Sequence, residues 1–201
     1  MPVLSSPKRG DANIFAGALR ILKSGGIIAY PTESSYALGV CAKDEGAVKK
    51  LFALKKRPAD KPLPIIVGDR DILLSIVKKI TDQAGDLMKR YWPGPLTLIF
   101  EARDTLPLLL TGGSGKVAVR IPGPGIALDM VRVLKMPVTA TSANPSGGRP
   151  AITADEVLEY FGDSVDLIID AGAAPGGMPS TIIDITVCPP VLLRRGRVVL
   201  D

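Results

Sequence analysis

Histidine is absent from the 201 residues of this chain, and the absence excludes a great deal. A Ser-His-Asp or Cys-His nucleophile needs an imidazole as its base, and zinc sites lean on clusters of histidine and cysteine, so both classes fall. Cysteine is scarce as well. Cys41 and Cys188 are isolated singles that make neither a disulfide framework nor a metal knuckle, which points to buried thiols in a reducing compartment. Long apolar runs are missing too. The N-terminus, MPVLSSPKRGDANIF, contains no run long enough for a signal peptide, and no stretch approaches a membrane span. A cytoplasmic protein with no membrane contact is expected. The chain has no internal repeat and no low-complexity linker.

What is present suffices for a core. With 46% hydrophobic residues, positions 1–201 are expected to form one domain. The 25 lysines and arginines against 20 acids give a formal charge of +5, which favours anionic partners such as nucleotides or RNA and selects neither.

The chain is organised around GIIAYPTESSYALG, residues 26 to 39. Ile27 to Tyr30 is a β-branched and aromatic run between Gly25-Gly26 and Pro31, so it predicts a strand that stops at the proline. Thr32, Glu33, Ser34, Ser35 and Tyr36 then crowd hydroxyls and one carboxylate onto the loop leaving a strand end, where open α/β sheets place ligands. A capped turn satisfying its own backbone explains the same residues. Before it, after a polar tail, Asp11 or Asn13 can cap a helix with Ile14, Ala18, Leu19 and Leu22 on one face. After it, a second helix begins near Asp44 and runs into a basic loop, LKKRPADKPL. Lys55, Lys56, Arg57 and Lys61 in that loop are either a solvated face or a phosphate clamp stiffened by Pro58 and Pro62.

PLPIIV, residues 62 to 67, reads as a buried strand. Two short helical patterns follow over residues 69–79 and 81–92, then the rigid turn Pro93-Gly94-Pro95 and a strand from Leu96 to Phe100. Trp92 is read as a core residue rather than a base-stacking platform. TGGSGKV, residues 111 to 117, imitates a phosphate loop, but Leu110 and Val117 stand where the Walker pattern needs a glycine and a Ser or Thr. Lys116 could still reach a phosphate as a point charge. VAVRIP is a strand in which Arg120 is costly to bury unless it meets an anion, so Arg120 is a candidate ligand for a carboxylate or phosphate. A helix to Leu134 and a strand from Val138 to Thr141 lead to Ser142-Ala143-Asn144-Pro145-Ser146-Gly147-Gly148-Arg149. Hydroxyls, an amide and open glycine backbone at a strand end can cradle phosphates or ribose, although such a cluster also makes an ordinary turn. A helix to Phe161 and a strand Asp166 to Asp170 follow, then a glycine-rich loop that could act as a mobile lid near Gly177, STIIDIT and LLRRGRVVL.

PTESSYALG resembles the loop that opens the YrdC-like family, and five further segments match family elements in family order: Lys55-x-Arg57 with Lys61 before Pro-Leu, WPGPLT, VRIP, TSANPSG, and STIID with Arg194-x-Gly196. The resemblance spans residues 13 to 198. It implies an α/β fold: a YrdC-like twisted mixed parallel/antiparallel sheet with flanking helices around a basic concave cleft. It implies the activity of a threonylcarbamoyl-AMP synthase, joining L-threonine, bicarbonate and ATP with release of pyrophosphate. Downstream proteins would transfer the threonylcarbamoyl group to tRNA. By residue-by-residue correspondence, Lys55, Arg57, Ser142 and Asn144 form the catalytic constellation. Arg57, Lys61, Ser142, Asn144 and Arg194 bind ATP, with Lys116 added as the point charge read from its own loop, and Thr32, Arg120 and Ser180 bind threonine. No protein metal cage is implied; magnesium (Mg2+) is expected with the triphosphate, held by phosphates and water.

Ser35 and Ala37 depart from the family loop, and Ile65, Ile66 and Val67 stand where some relatives carry a histidine. A minimal form ending at Asp201 is expected. Two other readings remain at this stage. One is a non-catalytic module of the same fold that binds double-stranded RNA or ribosomal RNA. The other is a carbamoyl-adenylate-handling domain of hydrogenase maturation, which is normally part of a longer chain with zinc-finger cysteines.

Overall fold

Gly26 shows why the chain turns where it does. A Cβ there would lie 2.6 Å from Ile21 Cγ2 and 2.9 Å from Asp166 Oδ2, so only glycine lets the first helix close onto the first long strand. The structure, a computed structural model, describes residues 3–5 and 12–199. Its elements in chain order are β1 (Val3–Ser5), α1 (Ala12–Lys23), β2 (Ile28–Pro31), β3 (Tyr36–Gly39), α2 (Glu45–Lys55) and β4 (Ile65–Ile66). Next come α3 (Arg70–Leu74), α4 (Asp82–Tyr91), β5 (Leu96–Glu101), α5 (Leu108–Thr111), β6 (Lys116–Arg120) and α6 (Ile126–Leu134). The last are β7 (Val138–Thr139), β8 (Thr141–Ser142), α7 (Ala154–Phe161), β9 (Leu167–Asp170), β10 (Thr181–Asp184) and β11 (Val191–Arg194).

The strands form a five-stranded sheet of order β1-β9-β2-β3-β8 and a six-stranded sheet of order β11-β10-β5-β6-β4-β7. Both are mixed. In the first, β9 runs parallel to β1 and β2 while β3 is antiparallel to β2 and β8. In the second, β10 is parallel to β5 and β4 to β6, with antiparallel pairs elsewhere. Residues 138–142 join the two sheets: β7 pairs with β4, β8 pairs with β3, and Cys41 bridges back to Val138. Thr139 sits at the seam, where its hydroxyl accepts the Val40 amide at 3.0 Å and its carbonyl accepts Tyr30 Oη–H at 2.8 Å.

Helical spacing delivers what it promises in α1, where Ile14, Phe15, Ala18 and Leu22 are buried against Tyr30 and Met130. Asp44 caps α2, its carboxylate accepting the Ala47 amide at 3.0 Å, and Lys56 ends the helix in the left-handed region. Several expectations shift. Asn13 lies inside α1 rather than at its cap, and Asp11 falls outside the described residues. The expected polar tail contains β1, paired with β9. The loop after Pro31 is a hairpin: Tyr36 to Gly39 folds back on β2, because Tyr36 and Leu38 alternate onto the core face. The buried run at residues 62 to 67 narrows to a two-residue ladder at Ile65–Ile66, since Pro62 and Pro64 cannot donate to a ladder. Trp92 is half-buried against Phe100, and its Nε1–H donates to Leu96 O at 2.6 Å.

Candidate functional site

Two strand-end clusters meet at the tip of the β2–β3 hairpin. The first is built by α2 and the turn after β8. Lys55, the last residue of α2, is 1% exposed and points its ammonium at Ser142 O (2.5 Å) and Asn144 O (2.6 Å). Burial, then the neighbouring Arg57 charge, pushes its pKa down to about 8. Arg57 closes the basic loop on itself: Nε donates to Lys61 O and Nη2 to Pro62 O, both at 2.9 Å. Burial lowers the Arg57 pKa as well. Lys61 is exposed.

The Ser142–Asn144 turn is held from several sides. Ala143 N–H donates to Tyr36 O at 2.8 Å, and Ser146 N–H donates to Lys55 O at 3.1 Å. Asn144 is buried, and its amide nitrogen donates to Pro145 O (2.7 Å) and Gly148 O (2.9 Å). That leaves Asn144 Oδ1 buried with no partner among the described residues. The half-buried Ser142 hydroxyl likewise makes no hydrogen bond among the described residues. An immobilised amide and a free hydroxyl beside a cationic strut form a fixed polar edge for an anionic or hydroxylated ligand.

The second cluster lies where β6 ends and β10 begins. Arg120 Nη1 donates to Glu33 Oε1 at 2.6 Å, and Gly123 N–H donates to the same oxygen at 2.6 Å. Burial works to raise the Glu33 pKa, but the charge and hydrogen bond of Arg120, with the amides of Glu33 and Gly123, hold it below the ordinary glutamate value. Ser180 Oγ lies 2.8 Å from Thr97 Oγ1 and accepts Arg194 Nη2–H at 3.0 Å. Burial, then the charge of Arg120, lowers the Arg194 pKa, so the two guanidiniums share one field. Thr32 turns inward at the hairpin tip, donating from Oγ1 to Ser35 O at 2.7 Å.

The structure thus brings together Lys55, Arg57, Ser142 and Asn144 on one side and Thr32, Arg120, Ser180 and Arg194 on the other. Arg194, expected beside the nucleotide, lies in the second group. Lys116 joins neither: it stands at the opposite end of β6 from Arg120, paired with Asp184 at 2.9 Å. Sequence reasoning placed Glu33 in the organising loop but missed it as the partner of Arg120, although the signal was available. A buried arginine demands an anion, and Glu33 was the one carboxylate in the organising loop. Two surface recesses, of about 250 and 370 Å3, lie elsewhere, around Phe100 and Cys188 and around Met88 and Trp92.

Comparison with known proteins gives a consistent result. The protein-family model for Sua5, YciO and YrdC, described as telomere recombination, matches residues 20–196. A threonylcarbamoyl-AMP synthase of Pyrococcus abyssi is 43% identical over 184 residues, covering 92% of this chain and 54% of the relative, so the chain spans about half of that protein's length. A threonylcarbamoyl-AMP synthase of Idiomarina loihiensis is 44% identical over 164 residues, covering 79% of this chain and 87% of the relative. The crystal structure of P. abyssi Sua5 complexed with L-threonine superposes with a TM-score of 0.92 at 40% identity, covering 98% of this chain and 58% of that one.

Proposed function

Because the chain belongs to the Sua5/YciO/YrdC family, we propose that it forms threonylcarbamoyl-AMP and pyrophosphate from L-threonine, bicarbonate and ATP. The observation that supports this most strongly is the pairing of two unlike clusters at one hairpin tip. One offers an amide, a hydroxyl and cations to a nucleotide, and the other offers the half-buried Arg120 guanidinium, the exposed Arg194 and a hydroxyl to an amino acid. The P. abyssi complex adds that a neighbour of the same fold holds L-threonine.

In this reading Arg120 takes the threonine carboxylate on the donors that Glu33 leaves open, and Ser180, fixed by Thr97 and Arg194, faces the same ligand. A carbamate formed on the threonine nitrogen attacks the α-phosphorus of ATP, and pyrophosphate leaves. Negative charge grows on phosphate oxygens during that displacement. Arg57, with the exposed Lys61, supplies counter-charge, and Lys55 holds the Ser142–Asn144 edge in place. Position and charge suffice for this step, so the lack of histidine is no obstacle.

Magnesium would enter with the triphosphate and neutralise its oxygens. No group of three or more acids or cysteines among the described residues could hold it, and a metal carried by phosphates and water fits that donor set. Among the described residues no helix is long and apolar enough to cross a membrane, and we place the reaction in the cytoplasm, where downstream proteins would pass the threonylcarbamoyl group to tRNA. The test is pyrophosphate release by the purified chain with MgATP and bicarbonate, with and without L-threonine. Threonine-dependent release that disappears in Arg57→Ala supports the synthase. Release that ignores threonine refutes it.

A further inference from the structure

Among the described residues only two buried side-chain atoms lack a hydrogen-bond partner, Asn144 Oδ1 and Glu33 Oε2. The second needs an explanation beyond turn geometry. Glu33 is ionised, its Oε1 already takes two short hydrogen bonds, and Oε2 is sealed from water with no hydrogen-bond partner among the described residues. Charge sealed in this way is screened weakly, so its field extends past contact distance. What lies in that field is Arg120, with one donor spent on Glu33 and the rest of its guanidinium fork open among the described residues.

We propose that Glu33 is a specificity-determining residue: it makes the Arg120 site accept the carboxylate of a zwitterionic α-amino acid and reject a carboxylate that brings no ammonium group. The inference rests on the synthase reading, in which Arg120 receives the substrate carboxylate. A bare carboxylate seated on Arg120 would lie on the order of 6 Å from the Glu33 carboxylate and be repelled by it. An α-amino acid carries its ammonium two bonds from the carboxylate oxygens' carbon, so its net charge in the same place is zero and the repulsion is offset. Glu33 acts through charge, because Oε2 is too enclosed for a ligand atom to touch. Arg194 strengthens the need for a carboxylate at this end without distinguishing the two kinds of acid.

The test compares L-threonine with (2S,3R)-2,3-dihydroxybutanoate, which has a hydroxyl where threonine has its ammonium. Binding of each to wild type and to Glu33→Gln is measured by calorimetry, with ATP binding alongside. Glutamine keeps the size of Glu33 and its acceptor for Gly123 N–H while removing the charge. The wild type should prefer threonine by at least about tenfold, and Glu33→Gln should reduce that ratio by about tenfold with ATP affinity unchanged. An unchanged ratio overturns the inference even if both ligands weaken together, since a merely structural role would weaken both. Should Glu33→Gln not fold, the wild type still decides: no preference for threonine over the hydroxy acid overturns the inference, and a strong preference supports it. A wild type that binds neither compound removes the synthase reading along with it.

Discussion

Replacing Lys55 by methionine separates a structural strut from a free phosphate clamp. Methionine retains most of the stem volume and deletes the ammonium that reaches Ser142 O and Asn144 O. The two carbonyls suffer unequally. Ser142 O still accepts the Asn144 N–H at 3.0 Å, whereas Asn144 O loses the lysine and keeps no other partner among the described residues. An unpaired buried acceptor costs about 1–3 kcal/mol, and the lost charge-assisted bond at Ser142 O adds about 1 kcal/mol, for a total of about 2–4 kcal/mol. Relief of the desolvated charge favours the lower half of that range. At about 2–4 °C per kcal/mol for a chain of this size, the midpoint of thermal unfolding should fall by about 4–12 °C. Urea titration of wild type, Lys55→Met and Lys61→Met gives the direct comparison, with the exposed Lys61 as control at about 0.5 kcal/mol or less. If Lys55→Met unfolds within about 0.5 kcal/mol of wild type, the ammonium is not holding the turn and the strut is refuted.

The same residue predicts a pH effect. The unfolded chain titrates Lys55 at its ordinary 10.5 and the folded chain at about 8, so between those values the unfolded state binds more protons and wild-type stability rises with pH relative to Lys55→Met. Urea midpoints of both proteins at pH 7.5, 9 and 10 check it, and a constant difference would refute it. Glu33 gives the acid counterpart. Its folded pKa lies below the ordinary 4.5, so its contribution is complete above that value and is lost as pH falls through the folded pKa. The stability gap between wild type and Glu33→Gln should therefore narrow below pH 4.5 in thermal melts.

Elements whose signal is local were legible in the sequence. Asp44 before an apolar helical face, the β-branched run at Ile27, and the alternation through Val117 and Val119 each specify their own structure. Elements defined by pairing were not. β1 is three residues long, too short for any periodicity, and exists because β9 lies beside it; the strand read from Val138 to Thr141 is present, but its division into β7 and β8, paired with β4 in one sheet and β3 in the other, had no signal in the sequence. The candidate site divides in the same way. Arg120 announced itself as a buried cation in an apolar strand, but its anion sits 87 residues away, and no spacing rule links the two. Lys55 stood in a charge run that reads as solvated, and only the return of Ser142 and Asn144 across 87 and 89 residues turns it inward. Lys116 failed for the opposite reason: its glycine-rich surroundings imitated a ligand loop, while β6 carried it to the end of the sheet away from Arg120.

The stretch from Val138 to Ser142 belongs to both sheets, and this makes the candidate site a keystone. The hairpin tip comes from one sheet, Arg120 from the other, and the Ser142–Asn144 turn continues the strand that joins them. A substrate spanning these parts has to grip both halves at once. Its binding energy then adds to the cohesion between the sheets, and slower amide exchange at Val40 and Thr139, deep in the seam and away from the ligand, would register occupancy.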